Sequence, residues 1–308
     1  MAKILYGQPI ADEIKKFLKY EIQHGIEKYY LTAPQLKIIQ CNKNDASNVY
    51  VRNKIRFCEE CGIEVNHINI YDIIPQAKWD DETTRDMCLF NTIVGYSQDI
   101  YPRVIVQSPV DSKTKFNEFV NVLPSNELDV DCLCDTSVGR LWQDRIKFKG
   151  KEALTVDKYY INNAPATPNG IYAMLRYYQL VDGLKGKHAV IIGRSDLVGK
   201  PMAKILLDLD MTVTICHSKS ENLKDIAKTA DLLVVAIGKP KFITKEYIKE
   251  GAVVIDVGIN RDENNKLCGD VDFENVLDHV SAITPVPKGV GIVTTAMVAL
   301  KTYYLWDY

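Results

Sequence analysis

Tyr50 and Lys54 stand at i and i+4 of the helical run ASNVYVRNKIRFCEECG, so one helix face carries both. Both are side-chain types that can take part in acid–base chemistry. The same pair also suits an ordinary exposed face, where the lysine stem covers apolar surface and its head stays in water. Gln107 closes the apolar run RVIVQ; it is either a common polar strand terminus or an amide aimed at a neighbour. Asp131 sits in DVDC beside Asp129. Loop acids of this kind are usually solvated.

A second chemistry is written in HAVIIGRSDLVGKP, which reads as strand, glycine turn and helix. Gly193 ends the strand, where a Cβ would obstruct a tight turn. Gly199 falls in the first turn of the helix, where a small residue permits close packing. Backbone N–H groups at such a helix start hold phosphate. The match to G-x-G-x-x-G is imperfect, because Ser195 takes the second glycine's place. The following strand, TVTIC, ends in His217-Ser218-Lys219, without the carboxylate that usually holds the ribose hydroxyls of NAD. With Arg194 in the first turn, this set suits a 2′-phosphate and predicts NADP over NAD.

Alternating strand-like and helix-like segments must position these groups, which indicates an α/β protein with mostly parallel sheet. Helices are expected at 8–30, 46–61, 82–95, 112–122, 169–180, 197–209, 222–230 and 293–306. Strands are expected at 36–41, 67–71, 103–109, 188–193, 212–216, 231–238 and 252–260. The polar, Asp-rich stretch 126–150 breaks the rhythm and reads as a linker or a functional loop. Residues 283–291 read as a Pro/Gly loop. The second half forms a doubly wound sheet.

Composition narrows the function. A chain of 308 residues suits two domains, with 46% apolar and 25% charged types. Its net charge of −2 argues against general nucleic-acid affinity. No apolar run approaches the ~20 residues that span a bilayer, and the amino terminus lacks a secretory signal. The cytoplasm is therefore expected. Eight cysteines then read as reduced thiols. Cys58-x-x-Cys61 and Cys132-x-Cys134 have spacings compatible with zinc. Cys58 and Cys61 fall inside a helical pattern with no histidine adjoining, so no metal site is expected.

In order, GRSDLVGKPMA, TICHSKS, DLLVVAIGKPKFI, GAVVIDVGIN, GDVDFENV and SAITPVPKGVG resemble the cofactor domain of the bifunctional methylenetetrahydrofolate dehydrogenase/methenyltetrahydrofolate cyclohydrolase family. In the first half ASNVYVRNKIRFCEECGI, VIVQSP, LDVDC and PATPNG agree as well, so the resemblance covers almost the whole chain. It implies a folate-binding domain (1–160 with 288–308) facing a Rossmann NADP domain (161–287) across a cleft. It implies oxidation of 5,10-methylenetetrahydrofolate to the methenyl form with NADP, then hydrolysis to 10-formyltetrahydrofolate. It also implies a homodimer working in one-carbon metabolism and purine biosynthesis. The end at Tyr308 leads us to expect no appended formyltetrahydrofolate synthetase domain.

The resemblance also implies roles. Tyr50 stacks near the pterin, Lys54 is the cyclohydrolase acid/base, and Gln107 orients that lysine. Asp131 takes the pterin's amino edge, and Ser108, Pro109 and Gly289 line the substrate. Thr167, Gly193, Arg194, Ser195, Val198, Gly199, His217, Ser218, Ile237, Gly238 and Ile259 contact the cofactor. An amine can serve as both base and acid only where its neutral form is accessible, which burial and a neighbouring cation favour. Departures cluster on the folate side. Ser108-Pro109-Val110-Asp111 replaces leucine-proline-leucine-proline, Cys132 and Lys288 replace glycines, and Ile292 replaces a proline. Ala166 stands where the family usually has cysteine. The open alternatives are a dehydrogenase with weak or absent hydrolysis, a non-catalytic NADP-binding protein, and a different two-domain oxidoreductase.

Overall fold

The computed structural model describes residues 2–96, 103–123, 128–143, 146 and 156–306, with Ala46 and Tyr96 described by backbone alone. The chain gathers into two compact units. One comprises Met1–Asp12 and Leu141–Thr294; the other comprises Glu13–Arg140 and Thr295–Tyr308. The helices Gln8–Tyr29 and Val290–Tyr304 each contribute residues to both.

The first unit is built on a six-stranded parallel sheet. Its order is Lys3–Ile4, Ala282–Ile283, Val253–Asp256, Leu232–Val235, His188–Ile192 and Thr212–Cys216. The segments LLVV and VVID are buried throughout, as strands covered on both faces must be. Val190, Ile192, Leu233, Val235, Val254 and Ile283 form one core cluster. Each such aliphatic contributes about 1.5–3 kcal/mol by leaving water. The edge strand Thr212–Cys216 is more exposed, in keeping with its threonines. From His188–Ile192 the chain runs to Thr212–Cys216 on one side, then returns to Leu232–Val235 on the other. That reversal is a topological switch point, and open α/β sheets bind ligands beyond the carboxyl ends of strands there.

The second unit has a three-stranded parallel sheet, ordered Glu64–Asn69, Gln35–Gln40 and Val104–Gln107. Its core joins Ile39, Val104 and Val106 to Leu89 and Ile93 of the Glu82–Tyr96 helix and to Phe119. The doubly wound α/β class expected from the sequence is thus the observed one.

Local differences have physical causes. The strand expected at 67–71 spans Glu64–Asn69, because the Asn69 side chain accepts the Tyr71 N–H and starts a short helix at Ile70. The expected 112–122 helix shrinks to Phe116–Val120; Ser112 and Thr114 instead spend their hydroxyls on Asp86. The helix expected at 169–180 begins earlier, at Ala166. Pro168 is accommodated in its first turn, where no backbone donor is needed. Within 126–150, Asp135–Gln143 is helical; residues 126, 127, 144, 145 and 147–150 lie outside the described residues. The strand expected at 252–260 stops at Asp256, whose carboxylate accepts the Gly258 N–H, and Asn260–Arg261 pairs separately with Leu267–Cys268.

Candidate active site

The Asp45–Glu60 helix places Lys54 on its inward side. Val51, Lys54 and Cys58 recur at helical spacing and all three are buried. Lys54 therefore occupies a core-facing position, and only 6% of its surface is exposed. The sequence alone favoured an exposed lysine. The overlooked signal was that i−3 and i+4 from Lys54 are both apolar.

A buried ammonium costs several kcal/mol unless it is paired. Lys54 Nζ donates to Gln107 Oε1 at 3.0 Å and lies 4.0 Å from Asp131 Oδ2. Gln107 is the last residue of its strand, and its own amide N–H donates to the Ser108 carbonyl at 2.7 Å. That bond turns the amide nitrogen to the backbone, so its oxygen is the atom facing Lys54. Lys54, Gln107 and Asp131, chosen from the sequence, converge within one unit.

Asp129, which sequence reasoning treats as a solvated neighbour of Asp131, is only 2% exposed. Its Oδ2 accepts the N–H groups of Leu133 at 2.6 Å and Cys134 at 2.7 Å. Burial pushes its carboxyl up, while the charge of Lys301 opposes the shift. Lys301, also buried, donates to Cys132 Sγ. Asp129 thus ties down the loop that aims Asp131 at the amine. Cys132 adopts φ +54°, a left-handed conformation that glycine takes most readily. Burial raises its thiol to about 11, so it stays protonated.

Tyr50 is half-buried on the same helix, and burial raises its phenol to about 12, which keeps the O–H as a donor. Ser108 is half-buried and Pro109 exposed. The Pro109 carbonyl accepts from Asn42 Nδ2 at 2.6 Å. Asn42 belongs to a buried amide network that sequence reasoning missed. Gln40 Nε2 donates to Asn42 Oδ1 at 3.0 Å and Asn48 Oδ1 at 2.8 Å, and Gln40 Oε1 pairs with His67 at 2.9 Å. This network links a strand end to the start of the Lys54 helix. Gln40 ends the apolar run LKIIQ as Gln107 ends VIVQ, a parallel that could have flagged it.

The glycine turn lies in the first unit, at the switch point. Gly193 has φ +132°, and a Cβ there would strike the Ala236 carbonyl, with its carbon at 3.1 Å. A Cβ on Gly199 would lie 2.7 Å from the Gly193 carbonyl carbon. The backbone is therefore bare and closely folded where a pyrophosphate would approach. Ser195 closes the turn: its Oγ accepts the Val198 N–H at 3.2 Å and its carbonyl the Lys200 N–H at 3.1 Å. Gly193 N–H donates to the Cys216 carbonyl at 2.9 Å, so Arg194 and His217 leave adjacent strand ends. Arg194 and Ser218 are exposed; the His217 ring accepts the Lys219 N–H at 3.1 Å. No carboxylate stands at 217–219. Ile237, Gly238 and Ile259 follow the next two strands, and Thr167 bonds Thr294 at 3.3 Å. Gly289 belongs to this unit too, packed so closely that a Cβ would strike the Pro285 carbonyl. These residues fit a phosphorylated dinucleotide in backbone shape and in charge.

Residues 5–131 match the catalytic-domain model of tetrahydrofolate dehydrogenase/cyclohydrolase, and residues 165–307 match its NAD(P)-binding-domain model. The chain belongs to the tetrahydrofolate dehydrogenase/cyclohydrolase family. It is 42% identical over 306 residues to the bifunctional protein FolD of Lachnoclostridium phytofermentans, covering 99% of this chain and 98% of that one. The crystal structure of the bifunctional FolD enzyme from Campylobacter jejuni aligns with a TM-score of 0.83 at 35% identity, covering 100% of this chain and 99% of that chain. The Trypanosoma brucei dehydrogenase-cyclohydrolase, solved with NADP and an inhibitor, aligns with a TM-score of 0.83 at 28% identity, covering 99% and 97%.

Eight cysteines are free, seven of them buried, including Cys58 and Cys61. Among the described residues no helix is long and apolar enough to cross a membrane.

Proposed function

We propose that this chain oxidises 5,10-methylenetetrahydrofolate to 5,10-methenyltetrahydrofolate with NADP and hydrolyses the product to 10-formyltetrahydrofolate. The observation that carries this reading is the buried amine of Lys54, held by Gln107 and facing Asp131.

The substrate's bridging carbon lies between two nitrogens whose lone pairs stabilise the cation left when hydride departs. The bound dinucleotide supplies the hydride acceptor. The protein's task in that step is positioning. Asp131 accepts the pterin's amino edge, and the Tyr50 ring packs against the pterin. For hydrolysis, Lys54 Nζ takes a proton from the water that attacks the cationic carbon and gives it to the nitrogen whose bond to that carbon breaks, and the new hydroxyl loses its proton to solvent as the formyl C=O forms. Gln107 Oε1 fixes where that nitrogen atom sits, so the amine needs no reorientation between the two transfers. Ser108, Pro109 and Gly289 complete the folate contacts.

On the dinucleotide side, Gly193 and Gly199 leave room for the pyrophosphate beside Ser195 and Val198. Arg194, His217 and Ser218 take the 2′-phosphate. Thr167, Ile237, Gly238 and Ile259 line the remainder. In this reading the unit built on the three-stranded sheet serves folate and the unit built on the six-stranded sheet serves NADP, so the division falls elsewhere than the expected 1–160 with 288–308 and 161–287, and the enzyme works as a cytoplasmic homodimer supplying purine biosynthesis.

A spectrophotometric assay tests both halves. Methylenetetrahydrofolate with NADP should yield reduced cofactor. Methenyltetrahydrofolate alone should lose its absorbance faster than in buffer. Reduced cofactor without accelerated hydrolysis would identify a dehydrogenase only, and neither activity would refute the reading. Arg194→Ala should weaken NADP binding by about tenfold, the scale of one lost charge-assisted contact, and leave NAD binding little changed. Equal binding of both cofactors by the unaltered enzyme, with no loss in the variant, would remove the 2′-phosphate assignment.

A further inference from the structure

Asp270 is 0% exposed and has no role in the chemistry above. Its Oδ2 accepts the N–H groups of Ile237 at 2.7 Å and Gly238 at 3.1 Å. Its Oδ1 accepts the Lys239 N–H at 2.7 Å and the Asn260 side-chain amide at 2.8 Å. Four donors use the full accepting capacity of one carboxylate. They come from the loops that follow two adjacent strands, Leu232–Val235 and Val253–Asp256.

The carboxylate is itself held in place. The Asp270 N–H donates to Asp256 Oδ1 at 3.0 Å, and Asp256 also accepts Gly258 N–H at 3.1 Å and Val271 N–H at 2.9 Å. Two glycines make the arrangement possible. A Cβ on Gly258 would lie 2.6 Å from Asp270 Oδ2, and one on Gly269 would lie 2.8 Å from Asp256 Oδ1. One side chain thus gathers the backbone of both loops at the ligand-binding end of the sheet.

We propose that Asp270 is a positioning residue for the dinucleotide. It holds 237–239 and 258–260 in the shape that receives the half of the cofactor remote from the adenosine, without touching the cofactor. This rests on the proposed NADP-dependent function. The glycine turn and the His217 strand end, which serve the adenosine half, lie on the other side of the switch point and make no bond to Asp270. A residue that only kept the unit folded would affect both halves alike.

The test uses the full chain carrying Asp270→Asn, with Asn260→Ala as a milder partner. NADP and the fragment adenosine 2′,5′-bisphosphate are titrated calorimetrically, and methenyltetrahydrofolate hydrolysis is measured without cofactor. An asparagine cannot accept on its amide nitrogen, so at least one backbone donor loses its partner. NADP should bind about tenfold or more weakly, with fragment affinity and hydrolysis kept within about twofold. Asn260→Ala should weaken NADP several-fold with the fragment unchanged. NADP affinity equal to that of the unaltered enzyme in folded Asp270→Asn overturns the proposal. So does a proportional loss of fragment and dinucleotide. Should Asp270→Asn fail to fold, Asn260→Ala decides by the same ratio. Failure of the unaltered enzyme to bind NADP would instead refute the proposed function.

Discussion

Replacing Gly199 by alanine loads the glycine turn where there is least room. The added Cβ would strike the Gly193 carbonyl oxygen and would lie 2.7 Å from that carbonyl's carbon and 2.9 Å from Arg194 Cα. All three atoms are backbone, so no side-chain rotation relieves the contact. Ordinary contact begins near 3.4 Å, so the carbonyl carbon alone must retreat by about 0.7 Å. Overpacking of this kind costs about 1–3 kcal/mol. If the unit stays folded by opening the turn, that cost falls on the state that needs the turn closed, which is the NADP complex. At about 1.4 kcal/mol per tenfold, NADP should bind roughly five- to 150-fold more weakly. Calorimetric titration measures this directly. Methenyltetrahydrofolate hydrolysis without cofactor is the internal control, because Lys54, Gln107 and Asp131 all belong to the other unit. A folded Gly199→Ala enzyme that binds NADP as tightly as the unaltered protein would refute the reasoning.

Asp131→Ala should raise the Michaelis constant for folate by about tenfold or more, the scale of a lost charge-assisted bond, while NADP affinity stays unchanged; steady-state kinetics and titration separate the two. Burial lifts the Asp256 carboxyl from 3.8 to about 7, so the folded unit keeps a proton that the unfolded chain releases. Its contribution to stability is full below about pH 4, declines as pH rises to about 7, and is constant above that. The melting temperature of the wild type minus that of Asp256→Asn should therefore fall across this window; a difference independent of pH would contradict the assignment.

Much of this was legible in the residues. The apolar runs HAVII, LLVV and VVID announce buried parallel strands, because burial on both faces removes any alternation. The glycine turn was legible because its glycines answer to backbone crowding at short range. Lys54 was harder. Amines prefer water, and only the partners Gln107 and Asp131, 53 and 77 positions further along the chain, make its burial tolerable. Asp129 and Asp270 were not legible at all. Each acts through backbone N–H groups, and every residue type except proline supplies those. Boundaries slipped where a side chain outbid the regular pattern, as Asn69 does in capping the turn at Ile70.

The decisive measurement is the rate of methenyltetrahydrofolate hydrolysis by Lys54→Met, with NADP titrated into the same preparation. Methionine keeps the apolar stem in the buried stripe and deletes the amine. Losing a positioned acid/base should slow hydrolysis by about 10²–10⁴-fold while NADP affinity holds and some hydride transfer survives. Hydrolysis at the wild-type rate in that folded variant would show that the buried amine beside Gln107 and Asp131 is not the group that moves the proton.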